Sequence, residues 1–225
     1  GMLEAAVGDY TEAIRINPNH SRAYYNRGFC YDGLNRVDEA LADYTRSIEL
    51  EPVNVTAYHN RGSLHQRLAR HAEALSDFTC ALQSDPGCAL THNARGVLLQ
   101  SLGHLTPALE DFDAAATLAP SSVPFLRNRA QCRRAAGDLP GSIADFTSAI
   151  GLDGSDVVSR IQRGHSFRRL GEYGAAIADY SAAMGMTDDT LSLHNHRAYC
   201  HAKLGDFRAS IADYDIVLRL DPSNA

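Results

Sequence analysis

Histidine, cysteine and arginine are the residues through which this chain of 225 amino acids could do chemistry. Ten histidines could hold a metal, and five cysteines could bind metal, form disulfides or act as nucleophiles. The tightest histidine group is His194, His196 and His201. Their helical angles do not put all three on one face, because facing residues on a helix lie three or four apart. No HExxH sequence occurs, and no cysteine–histidine set has zinc spacing. A phosphate-cradling glycine loop and a nucleophile elbow are also missing from the sequence. The expectation is therefore no catalytic residue, no metal and no cofactor.

The arginines and aspartates behave differently, because they recur at a fixed interval of 34 residues. Arg27, Arg61, Arg95, Arg129, Arg163 and Arg197 form one series. Asp43, Asp77, Asp111, Asp145, Asp179 and Asp213 form the other, with Asp9 in the same register. Such a series could be a ladder for anionic ligands or a charge pair between adjacent helices. The copy-for-copy match favours the pair, and a guanidinium suits two-point bonding to a carboxylate.

The same interval organises the elements that must carry these side chains. With Ser21 as position 1, position 8 reads Gly28, Gly62, Gly96, Ala130, Gly164, Ala198. Position 20 reads Ala40, Ala74, Ala108, Ser142, Ala176, Ser210, and position 24 reads Tyr44, Phe78, Phe112, Phe146, Tyr180, Tyr214. Small residues at 8 and 20 let two helices approach, and the ring at 24 fills the space beside them. Positions 14, 21 and 28 are apolar and step by seven, which keeps them on one helical stripe. Position 32 is Pro52, Pro86, Pro120 or Pro222 in four copies, where it stops a helix.

Six full repeats follow: 21–54, 55–88, 89–122, 123–156, 157–190 and 191–224. Each is expected to hold one helix over roughly positions 2–14 and another over roughly 15–29. Pro107, Pro124 and Pro140 then fall in first helical turns, where a missing N–H costs little. Residues 1–20 match the second half of a repeat, with Gly1 at position 15 and Ala6, Asp9, Tyr10, Ala13 and Pro18 in register. This arrangement suggests a piece of a longer array, or ends covered by another protomer. Repeats four and five replace the closing proline with Gly154 and with Asp188–Asp189, so their junctions are expected to be the loosest.

These residues resemble the tetratricopeptide repeat (TPR), a helix–turn–helix unit of this length, in an "NRG…DY" variant. The tryptophan usual at position 4 is replaced by Tyr24, Tyr58, His92, Leu126, Arg160 and His194. The resemblance covers the whole chain. It implies an all-α fold, a right-handed TPR superhelix of antiparallel helix pairs, in a single array over 1–225. It also implies a concave groove lined by the first helices at positions 2, 5, 6, 9, 12 and 13.

Those positions supply the candidate site. Position 6 carries the amides Asn26, Asn60 and Asn128, which can donate to and accept from an extended peptide backbone. Arg22, Arg67, Arg127, Arg134, Arg168, Arg169 and Lys203 make the lining basic, against Asp32 alone as an acid, although the chain has a net charge of −6. Tyr25, Phe29 and Tyr199 offer apolar contact. The expected function is a protein–protein interaction scaffold whose groove takes an extended, acidic segment of a partner. The alternatives are a stretch of a long architectural array that binds through its ends or convex face, including end-to-end self-association, and the substrate-recognition arm of a larger enzyme. The carboxylate clamp of chaperone-tail binders is not matched. It needs a lysine–arginine combination around an asparagine, and only the asparagines are present.

Composition bounds the partners. An apolar share of 44% suits a globular chain, and no apolar run is long enough for a membrane helix. The acidic balance argues against general nucleic-acid binding. Cys30, Cys132 and Cys200 lie whole repeats apart, and Cys80 and Cys88 fall on a helix and a loop, so all five are expected as free thiols. With no leader-like stretch at the start, a cytoplasmic setting is expected.

Overall fold

A computed structural model describes residues 1–221; Pro222, the closing proline of repeat six, and the residues after it lie outside the described range. Among the described residues there are thirteen α-helices and no strand. The first, α1 (Met2–Ile16), is followed by six pairs. These are α2 (Ser21–Gly33) with α3 (Val37–Leu50), α4 (Val55–Arg67) with α5 (His71–Ser84), and α6 (Ala89–Ser101) with α7 (Leu105–Leu118). Then come α8 (Val123–Ala135) with α9 (Leu139–Leu152), α10 (Val157–Leu170) with α11 (Tyr173–Met184), and α12 (Leu191–Lys203) with α13 (Phe207–Leu220). The chain forms two compact units, α1–α7 (Gly1–Leu118) and α8–α13 (from Ala119). In each unit a first helix packs on its own second helix, and that second helix packs on the next first helix.

Side-chain size explains the pairing. Tyr44, Phe78, Phe112, Phe146 and Tyr180 are fully buried. Opposite four of these rings stands a glycine: a Cβ on Gly96 would sit 2.9 Å from Phe112 Cε1, and one on Gly164 would sit 2.8 Å from Tyr180 Cε1. In these four repeats the ring therefore occupies the notch left by the missing side chain. Ala40, Ala74, Ala108 and Ala176, at position 20, are also fully buried and line the same contact.

Helix boundaries differ from the expected ones at one place in every repeat. The second helices begin at position 17, two residues later than expected, because position 15 is a turn residue. Gly103, Gly137, Gly171 and Gly205 have φ between 79° and 91° there. Asn35 (φ 58°) and Ala69 (φ 56°) adopt the same left-handed backbone without being glycine. Each ends a first helix as its left-handed cap and separates the two helices.

Five of the second-type helices, α1, α3, α5, α9 and α13, share one exit. Asn17, Glu51, Asp85 and Asp221 are extended, with φ between −142° and −131°, and each precedes a proline, which favours that backbone. Asp153 precedes Gly154 and adopts the same conformation, φ −131°. Repeat four thus keeps the common exit without its proline, tied further by Arg160 donating to the Gly154 carbonyl at 2.9 Å. Repeat five departs: α11 ends two residues early at Met184, with Gly185 in a right-handed helical conformation.

Candidate functional site

The arginine–aspartate series forms the pairs expected from its register. Arg27, Arg61, Arg95, Arg129, Arg163 and Arg197 each donate from Nε and Nη2 to both oxygens of the aspartate sixteen residues later, at 2.6–2.9 Å. The aspartate side chains are 4–8% exposed and the arginines 17–25%. These guanidiniums are committed to holding helix pairs together and do not form a ligand ladder.

Three further features of this series escaped the sequence reading. The remaining nitrogen, Nη1, donates to a hydroxyl at position 25 of the preceding repeat: Thr11, Thr45, Thr79, Thr147 and Ser181. Position 25 was legible as a hydroxyl column broken by Asp113 and Asp215, and only the geometry gives it a partner. Some aspartates take a second donor where the family's aromatic is absent: His92 on Asp111, His194 on Asp213, and Arg133 on Asp145, at 2.8–2.9 Å. Burial raises the Asp213 pKa, but hydrogen bonds from Arg197 and His194 outweigh it and leave the carboxyl below its ordinary range. Where aromatics remain, they stack on the arginine: Arg27 lies 5.6 Å from the Tyr24 ring and 5.7 Å from Tyr31.

The first-helix face of the α1–α7 unit holds Arg22, Tyr25, Asn26, Phe29, Asn60 and Arg67. Arg22, Tyr25 and Asn26 line a hollow shared with Glu51 and Asn54. Asn60 Nδ2 donates to Tyr25 Oη at 3.1 Å, so this amide already bridges α4 to α2. Arg67 pairs with Asp32 at 2.6 Å, so the one acid of the predicted lining cancels one of its bases. Phe29 is 56% exposed.

The first-helix face of the α8–α13 unit gathers more charge. Arg127 lies 3.4 Å from buried Asp156, which also caps α10 through the Ser159 N–H. Asn128 is half-buried beside it. Arg134, on α8, donates to the Gln162 carbonyl at 3.4 Å, and Arg169, on α10, donates back to the Arg134 carbonyl at 3.0 Å. Arg168 and Lys203 each approach the Tyr199 ring centroid to 5.4 Å. Burial, reinforced by the Arg169 charge, pushes the Arg134 pKa down. Among the described residues, Arg134, Arg168, Arg169 and Lys203 form no ion pair with a carboxylate, unlike Arg67 and Arg127.

Two histidines complete this face: His196, weighed in the sequence only as part of the His194–His196–His201 group, and His165, not singled out there. His165 and His196 meet edge to face at 4.7 Å, and His165 Nδ1 hydrogen-bonds Tyr180 Oη at 2.8 Å. Burial, then the neighbouring His196, Arg134 and Arg168, push the His165 pKa down to about 4. Burial and Arg168 lower His196 as well. Both rings are therefore neutral near pH 7. Elsewhere, none of the five cysteines is in a disulfide: Cys30, Cys132 and Cys200 are buried, and Cys80 and Cys88 are half-buried. Among the described residues no group of three or more histidine, cysteine or acidic side chains could hold a metal, and no helix is long and apolar enough to cross a membrane.

Paired helices recurring every 34 residues, glycine notches filled by rings and a repeating ion pair define an α-helical repeat protein. Family profiles described as tetratricopeptide repeat match residues 21–54, 59–123, 93–157 and 161–225, and the chain belongs to the tetratricopeptide repeat family. Solved structures agree on the fold. The C-terminal part of a TPR repeat-containing protein from Cytophaga hutchinsonii matches with a TM-score of 0.82 at 14% identity, over 99% of this chain and 92% of that one. YrrB, described as a TPR protein with an unusual peptide-binding site, matches with a TM-score of 0.73 at 21% identity, over 82% and 95%. MamA matches with a TM-score of 0.70 at 16% identity, over 73% and 90%. None of the curated proteins matches the chain.

Proposed function

We propose that this chain is a non-catalytic interaction scaffold whose first-helix face, in the α8–α13 unit, binds an extended acidic segment of a partner protein. The observation that carries this reading is the cluster of Arg134, Arg168, Arg169 and Lys203, none of which pairs with a carboxylate among the described residues. Uncompensated cations on a chain of net charge −6 are a cost in the free protein that an anionic ligand relieves. Tyr199, 38% exposed, adds apolar area beside them. That YrrB is described as having a peptide-binding site agrees with a peptide ligand for a fold of this kind.

The test is capture of peptides from a synthetic array, repeated with Arg169→Glu and Lys203→Glu together. These two side chains are exposed, whereas Arg134 and Arg168 are half-buried, so a loss at the exposed pair reports on binding rather than on folding. Acidic peptides should be retained by the parent at low salt and lost by the variant with helicity unchanged. Equal retention by both proteins refutes the reading.

An assembly role through one end of the array is a second reading, favoured by α13. Tyr214 is 38% exposed where the equivalent rings of five repeats are fully buried, and Phe207 and Ile211 are 66% and 60% exposed on the same helix. Light scattering against concentration tests it: Ile211→Lys should lower the apparent mass if this face self-associates, and an unchanged monomer in both proteins would refute it.

A further inference from the structure

Around the Tyr199 ring, three elements of the α8–α13 unit bring cations and aromatic rings together, and a fourth adds Arg134 next to Arg169. Arg134 comes from α8, Arg168 and Arg169 from α10, Tyr173 from α11, and Tyr199 and Lys203 from α12. Arg168, Arg169, Tyr173 and Tyr199 line a hollow of about 320 Å³. Arg168 Nε is buried without a hydrogen-bond acceptor among the described residues. The nearby histidines, His165 and His196, are neutral near pH 7 and do not compensate the charge.

The chemistry of the ligand follows from how much charge must be met. A carboxylate brings one negative charge. A phosphomonoester brings about −1.5 to −2 near neutral pH, with three strong acceptor oxygens. Guanidinium forks match phosphate oxygens two at a time, and three of the four cations are arginines. The patch is open at exposed Arg169 and Lys203, so a small phosphorylated metabolite would have little to enclose it. A longer ligand lying on the first-helix face has further contacts to hold it.

We propose that Arg134, Arg168, Arg169 and Lys203, beside the Tyr173 and Tyr199 rings, form a phosphoryl subsite that takes a phosphorylated side chain within the extended acidic segment. This rests on the groove reading above and makes it specific: the partner is a phosphoprotein, and its phosphorylation controls capture.

The experiment uses the full chain and a fluorescent peptide, acetyl-Glu-Glu-Ser-Glu-Glu-amide, in three forms: central serine, phosphoserine, and glutamate in its place. Anisotropy titrations should show the phosphorylated form binding about tenfold or more tighter than the glutamate form. Arg169→Gln with Lys203→Gln should erase that preference with the circular dichroism spectrum unchanged. Arg169→Lys, which keeps the charge and loses the fork, should erase most of it. Equal binding of the phosphorylated and glutamate forms overturns the phosphoryl subsite and leaves the acidic-segment reading standing. No binding of any form overturns both. A preference that survives the double glutamine variant overturns the assignment to these residues. Equal competition by inorganic phosphate or by a single-stranded oligonucleotide overturns the assignment to a peptide.

Discussion

Arg61 holds two neighbours with one side chain: Nε and Nη2 grip Asp77, and Nη1 reaches Thr45 of the repeat before. Removing one partner of such a buried pair strands the other charge, at a cost of about 3–5 kcal/mol. Arg61→Leu should therefore destabilise strongly in urea unfolding, and adding Asp77→Leu should recover much of the loss. Ala69 makes a prediction of opposite sign. It holds a left-handed backbone, φ 56°, where four of the other repeats have glycine. That conformation costs an L-residue about 1–2 kcal/mol, so Ala69→Gly should raise the urea midpoint despite the flexibility it adds to the unfolded chain. The arginine–aspartate pairing was legible because the period fixes both partners. The fate of position 15 was not: a repeat register shows which residues are equivalent without showing where a hydrogen-bonded ladder stops, and Asn35 and Ala69 blur the glycine signal.

Helices are coupled across repeats by hydroxyls that carry no charge and attract no notice in a sequence. Thr45 on α3 accepts from Arg61 on α4 at 2.9 Å, joining consecutive repeats. Thr45→Val should cost about 1 kcal/mol, the size of one such bond, and should show coupling to Arg61→Leu in a double-mutant cycle. Helices α10, α11 and α12 meet around His165, which is neutral and hydrogen-bonded to Tyr180. Its folded pKa of about 4 lies below the unfolded value near 6.5. Between those values the unfolded chain binds the extra proton, so stability is complete above about pH 6.5 and declines as pH falls toward 4. Thermal midpoints across that window should fall less in His165→Asn than in the parent; equal slopes would show that another group governs the acid limb. Neither ring was legible as a pair in the sequence, since residues 165 and 196 lie in different repeats and at different repeat positions.

For the molecule as a whole, the net charge of −6 and the cationic patch of the α8–α13 unit oppose each other. Capture of an acidic segment should therefore weaken steeply with salt, because screening shortens to about 3 Å at 1 M. A binding constant that does not change between low and high salt would remove charge as the recognition principle. The all-α repeat fold was open to view in the sequence because one period recurs through core, turn and ion pair alike. The candidate lining was open only in part. Arg67 and Arg127 count as bases in a list, yet Asp32 and Asp156 neutralise them, and position along a helix does not reveal which acid lies within reach. One geometric habit also bears on how such a chain can change length over generations. Each clamping guanidinium finds its carboxylate sixteen residues later in its own repeat, and five of the six find a hydroxyl sixteen residues earlier in the repeat before. Deleting or duplicating any whole number of 34-residue modules keeps each remaining guanidinium sixteen residues from its carboxylate, whereas a cut of any other size within a pair breaks the spacing at once. Growth and shrinkage by complete modules is thus written into the bonding itself.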